Sequence, residues 1–238
     1  MSLLNSASDH LSEEDFEIYR PECWSSNLHN LGRMRTKERL VGLAKTISDV
    51  FESADLKFEA SSEIPSVWNG REVRDQWAYW LRNNAAQRRL QPVLAQRMDL
   101  ATRVKAPADH FKHALFCVRL SNETLGFGLR LSQYATIDVA NLLGRANEER
   151  DALDAAVAQC ADQLSLDGET PTSDSVLAAA RALMSGEREW LDLVRRLDRD
   201  AVLAMGDGLS DAIRAAADAA APLLNYLLWT EENDHVDV

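Results

Sequence analysis

Apolar residues in this chain recur mostly at three- and four-residue steps, with one stretch of strict alternation. Over 33–52, Leu40, Leu43, Ala44, Ile47, Val50 and Phe51 fall on one face, which predicts an amphipathic helix. Leu56 to Ala60 reads as a short strand, and Pro65 and Asn69-Gly70 then break the chain. Val73, Trp77, Trp80 and Leu81 make a second stripe, which predicts a helix over 71–84 with both tryptophans in the core. A shorter helix is predicted over 86–98.

The alternating stretch is 111–132. Ala114, Phe116, Val118 and Leu120 interleave with His113, Leu115, Cys117 and Arg119. Leu125, Phe127, Leu129 and Leu131 interleave with Gly126, Gly128, Arg130 and Ser132. Two such runs around Ser121-Asn-Glu-Thr124 predict a hairpin. With Leu120 opposite Leu125, Val118 meets Phe127 and Phe116 meets Leu129, so one face is wholly apolar and must cover a core. The other face carries His113, Cys117, Arg119 and Arg130 over a floor of two glycines. Those groups can hold an anion, although Leu115 in their midst favours burial of this face under a helix or partner.

The remainder reads as helix. Thr136 is placed as the cap of a long one over 136–164, with Val139, Leu143, Ala146, Leu153, Val157, Cys160 and Leu164 inward and Arg150 out of pattern. Asp138 in its first turn is explained by the helix dipole. Residues 167–174 break the chain. Helices are then predicted over 174–185, stopped by Gly186, over 187–205 and over 209–229. Asp192 and Arg196 are read as a four-residue pair on the solvated side of the second of these. The fold class is therefore α+β, predominantly helical, around a small antiparallel sheet. The expected organisation is an acidic N-terminal tail over 1–30, an α+β unit over 31–166, a helical unit over 172–229 and an acidic tail over 230–238.

Charge changes this picture. The chain of 238 residues carries a net −12, yet residues 71–130 hold eleven basic side chains and five acids, or +6, against −18 elsewhere. Arginine dominates, and its guanidinium suits phosphate and carboxylate. The candidate partner- or anion-binding residues are Arg71, Arg74, Arg82, Arg88, Arg89, His113, Arg119 and Arg130. Tyr79 is a candidate for stacking a base. The competing explanation is that acids elsewhere in the chain neutralise this segment internally.

Enzyme signatures are mostly refused. His110-x-x-His113 invites a metal, but on a strand a three-residue step splits two ligands between opposite faces. Gly126-Phe-Gly128 lies inside a strand rather than opening a helix. No phosphate-binding loop, serine-hydrolase elbow or zinc-protease motif is found. Asp55-Leu-Lys57-Phe-Glu59 groups carboxylates beside a lysine, as a Mg²⁺ nuclease needs, but its order does not give the expected strand spacing with an upstream acid. The cysteines Cys23, Cys117 and Cys160 lack metal or disulfide spacing, which fits a reducing cytosol. No signal sequence or membrane span is read.

These readings describe a cytosolic, non-catalytic interaction protein with a charged protein partner, no cofactor and no membrane association. One alternative is nucleic-acid or phosphate binding through 71–130. The other is an enzyme whose site is the His113/Arg119/Arg130 face.

Overall fold

The structure is a computed structural model that describes residues 10–51, 56–60, 72–97 and 108–236. The fold is α+β, mostly helical, around one antiparallel sheet. The sheet contains β1 (Leu56–Ala60), β2 (Gln76–Arg82), β3 (Leu115–Leu120), β4 (Thr124–Ser132), β5 (Ser165–Leu166) and β6 (Trp190–Asp198). Their order across the sheet is β1-β2-β3-β4-β6-β5. The helices are α1 (Glu13–Glu17), α2 (Asn30–Lys45), α3 (Ser48–Phe51), α4 (Asn84–Arg97), α5 (Thr136–Glu148), α6 (Arg150–Cys160), α7 (Ser173–Ser185), α8 (Arg199–Met205) and α9 (Gly208–Leu227). None of them, among the described residues, is long and apolar enough to cross a membrane.

The hairpin forms in the register that alternation dictates: Leu120 faces Leu125, Val118 faces Phe127 and Phe116 faces Leu129. Their side chains and those of Ala78, Trp80, Leu191 and Leu193 make the inner face of the sheet and are buried. Helices α2, α9 and α7 pack on that face, and α5 and α6 pack against α9 and α7, so one hydrophobic core runs from Leu11 to Leu228. Phe51 of α3 seats its ring 5.5 Å from Trp80 and 5.1 Å from Phe116. Helix α7 ends where Gly186 takes φ of 77°, a left-handed conformation that glycine adopts without a Cβ penalty.

Several expectations are corrected. Residues 76–82 form strand β2, not a helix. Trp80 faces the core as expected, but Trp77 projects from the opposite face, because residues three apart in a strand point to opposite sides. The segment 187–205 is strand β6 followed by the short helix α8, not one helix. The helix expected over 136–164 breaks at Glu149, beside the out-of-pattern Arg150. Ala135, not Thr136, occupies its N-cap, and the Thr136 hydroxyl is buried without a hydrogen-bond partner among the described residues. In the described part of the N-terminal segment, Phe16 and Tyr19 are fully buried in the core. The breaks at Pro65 and Asn69-Gly70 lie outside the described residues, as does Asp55.

Candidate functional site

Arg82 is not a surface residue. It ends β2 on the inner face and is only 3% exposed, paired with the fully buried Asp138 of α5. Arg82 Nη1 donates to Asp138 Oδ2 at 2.8 Å and Nη2 donates to Oδ1. The same carboxylate accepts the Ala114 N–H at 2.8 Å and the Trp229 N–H at 3.0 Å. Burial works against its charge, but the Arg82 charge and these hydrogen bonds outweigh that and hold the carboxyl below its usual range. Asp138 is thus a tie between sheet, helix and C-terminal segment, rather than a partner of the helix dipole alone. His113 is buried beside this pair, its Nδ1 3.4 Å from Arg82 Nη1.

The other sequence candidates are dispersed. Arg71 lies outside the described residues. Arg74 pairs with Glu72 and covers the Trp24 ring at 4.6 Å. Arg88 and Arg89 are exposed on α4. Tyr79 is buried and stacks on His110 at 4.5 Å between centroids, so its ring is not offered to a base. His110 sits in a one-turn 3₁₀ helix (Asp109–Lys112) with Nδ1 3.2 Å from the Tyr79 hydroxyl. The two histidines of the spaced pair therefore have different neighbours.

Arg119 and Arg130 do come together, on the outer face of the sheet. Towards one end of this face Tyr79, Leu81, Leu115 and Cys117 form a closed apolar cluster. Beside them is a pocket of about 180 Å³ that, among the described residues, is lined by the strands and the hairpin turn, including Cys117, Arg119, Gly126, Arg130, Asp192 and Arg196. The burial under a helix expected for the whole face does not extend to this pocket.

Strand register explains the pocket. Trp77, Arg119, Gly126 and Arg196 follow one another across β2, β3, β4 and β6. Neighbouring strands lie about 4.8 Å apart, so the two arginines flank a gap about 10 Å wide with only glycine between them. The next row is Tyr79, Cys117, Gly128 and Val194. Gly128 is required there by the sheet itself. Its φ is 149°, and a Cβ would stand 2.2 Å from the Leu193 carbonyl oxygen. At Gly126 a Cβ would meet nothing nearer than 3.9 Å.

Arg130 closes one end of the pocket. Its Nε and Nη2 donate to the two Asp192 oxygens at 2.6 and 3.0 Å. Its guanidinium packs against the adjoining Trp77 and Trp190 rings, 4.4 and 4.2 Å from their centroids. Its Nη1 is buried without a hydrogen-bond partner among the described residues. Burial works against this charge, but the Asp192 carboxylate and its hydrogen bonds outweigh it and hold the guanidinium pKa above its usual value. Arg119 is 41% exposed and pairs with Asp75 through Nε at 2.7 Å and Nη2 at 2.5 Å. Asp75 also accepts the Trp77 indole N–H at 2.7 Å. Arg196 is 56% exposed, and its nearest acid contact is Asp192 at 3.7 Å. The Cys117 thiol is pushed up to about 12 by burial, so it is a small apolar wall and not a nucleophile.

Sequence reasoning found Arg119, Arg130 and the glycine floor. It missed Asp192, Trp190 and Arg196, all on β6. The missed signal was the alternation of Leu191, Leu193 and Leu197 with Trp190, Asp192 and Arg196. The chain matches no known protein family and no curated protein.

Proposed function

We propose that this is a cytosolic, non-catalytic interaction protein that engages a charged partner through the outer face of its sheet. The observation that carries the reading is the row in which Arg119 and Arg196 flank Gly126 at the edge of an Arg–Trp cluster. Exposed guanidinium groups on a rigid floor, beside large planar aromatics, are the composition favoured at the centres of protein interfaces. Three buried cysteines without a disulfide suit a reducing compartment.

The test is site-directed photo-cross-linking. Thr124, at the pocket rim, is replaced by p-benzoylphenylalanine in the full chain, and Met184, exposed on α7, serves as the control position. The reading predicts a discrete adduct from position 124 that is lost at high salt and in the Arg119→Gln/Arg196→Gln variant. An adduct equal to that from position 184, or one indifferent to both arginines and to salt, overturns it.

A further inference from the structure

The pocket's charge and shape identify the group it takes. Three guanidinium groups (Arg119, Arg130 and Arg196) meet two carboxylates (Asp75 and Asp192), which leaves one positive charge. Arg130 is fixed by Asp192 and by two indole rings, so it contributes a stationary charge rather than a free fork. The available donors belong to Arg119 and Arg196. Among the described residues, Arg119 commits Nε and Nη2 to Asp75 and leaves Nη1 over, while the Arg196 guanidinium makes no hydrogen bond. They sit either side of Gly126, where the missing side chain opens a slot one residue wide.

We propose that this slot receives one carboxylate: a Glu or Asp side chain of a protein segment otherwise poor in acids. The inference rests on the interaction-protein reading above and names the chemistry of its contact. A single negative charge balances the local excess, whereas a phosphate dianion overshoots it. A nucleic acid would need a continued basic stripe, and Arg74, Arg82 and the Arg88–Arg89 pair lie in separate settings. Outside the slot the chain's net −12 repels a polyanion, so the rest of the partner segment must be neutral or basic. The pocket, about 180 Å³, is of side-chain size.

The test is ¹⁵N NMR of the full chain, read at the Gly126 amide and at the arginine Nε–H signals. Three capped peptides are titrated, each of seven residues of Gly and Ser with a central Glu, Gln or phosphoserine. The Glu peptide is expected to give saturable shifts at Gly126, Arg119 and Arg196. The Gln peptide should bind at least about tenfold more weakly, because hydrogen bonds to a charged group are worth more than those to a neutral one. Arg119→Gln and Arg196→Gln should each weaken the Glu peptide by about the same factor. Gly126→Val should block it while the rest of the spectrum stays dispersed, because the new side chain fills the slot and its Cβ has room. Equal binding of the Glu and Gln peptides overturns the proposal, as does tighter binding of the phosphoserine peptide or no shift with any peptide. If the peptides fail while the salt- and arginine-dependent photo-adduct at position 124 persists, the carboxylate assignment alone falls. If both fail, the interaction reading falls with it.

Discussion

Replacing Asp138 by Asn removes the negative half of a buried ion pair at nearly constant volume. Arg82, 3% exposed, then keeps its charge with no counter-ion beside it. The Asp138 carboxylate accepts two hydrogen bonds from Arg82 and one each from the Ala114 and Trp229 backbone N–H groups. An Asn side chain has one acceptor oxygen, and its NH₂ points two donors at donors already in place. Breaking a buried pair by removing one partner costs about 3–5 kcal/mol. For a chain of this size that is a fall in Tm of roughly 6–20 °C. Urea denaturation followed by circular dichroism measures the loss as a lower midpoint at unchanged slope. Asp138→Leu combined with Arg82→Met should cost less than Asp138→Leu alone, since the double change leaves no orphaned charge. The pH dependence has a fixed sign. The folded Asp138 carboxyl is held below its usual range, so its stabilisation is fully present above the unfolded value of about 4 and is lost as pH falls through the lower folded value. The gap between wild type and Asp138→Asn should therefore be widest above about pH 4 and close below it. A loss under about 1 kcal/mol, or a double variant no better than the single one, would refute the reasoning.

Other perturbations separate structural from functional positions. Gly128→Ala places a Cβ 2.2 Å from the Leu193 oxygen, while Gly126→Ala meets nothing within 3.9 Å; urea melts should show a loss of about 1–3 kcal/mol for the first and under about 1 for the second. Phe16→Ala, at a fully buried core position, should cost about 3–5 kcal/mol, and a near-neutral result would show that the N-terminal segment is not part of the core. Burial pushes the Cys117 and Cys160 thiols up to about 12, so both should resist a thiol reagent at pH 8 in native protein and react fully in denaturant. Rapid native labelling of Cys117 would contradict the closed wall assigned to it.

Alternation over 111–132 was enough to place the hairpin residue by residue, because a slip of one would turn Phe116, Val118 and Phe127 away from the core. The same rule was present in β6 but obscured. Trp190, Val194, Leu197 and Ala201 also satisfy a helical step, and Arg195 interrupts the inward run between Leu193 and Leu197. The spacing of Trp77 and Trp80 misled in the same way, since three residues means one face of a helix but both faces of a strand. Half of the pocket was therefore legible: Arg119 opposite Gly126 follows from the hairpin. Arg196 on the far side follows only once β6 is known to pair with β4. Asp138 could not be recognised at all, since its partner lies 56 residues away and local sequence offers the dipole as a sufficient explanation.

The most direct measurement on the central claim is a fluorescence-anisotropy titration at low and near-physiological salt. Wild type and Gly126→Val are compared with a labelled one-Glu peptide and with labelled DNA and RNA oligonucleotides. The account predicts that the peptide binds wild type, that Gly126→Val abolishes this binding without unfolding the chain, and that neither oligonucleotide binds. Equal peptide binding by both proteins, or salt-dependent binding of the oligonucleotides that is lost in Arg119→Gln/Arg196→Gln, would contradict it.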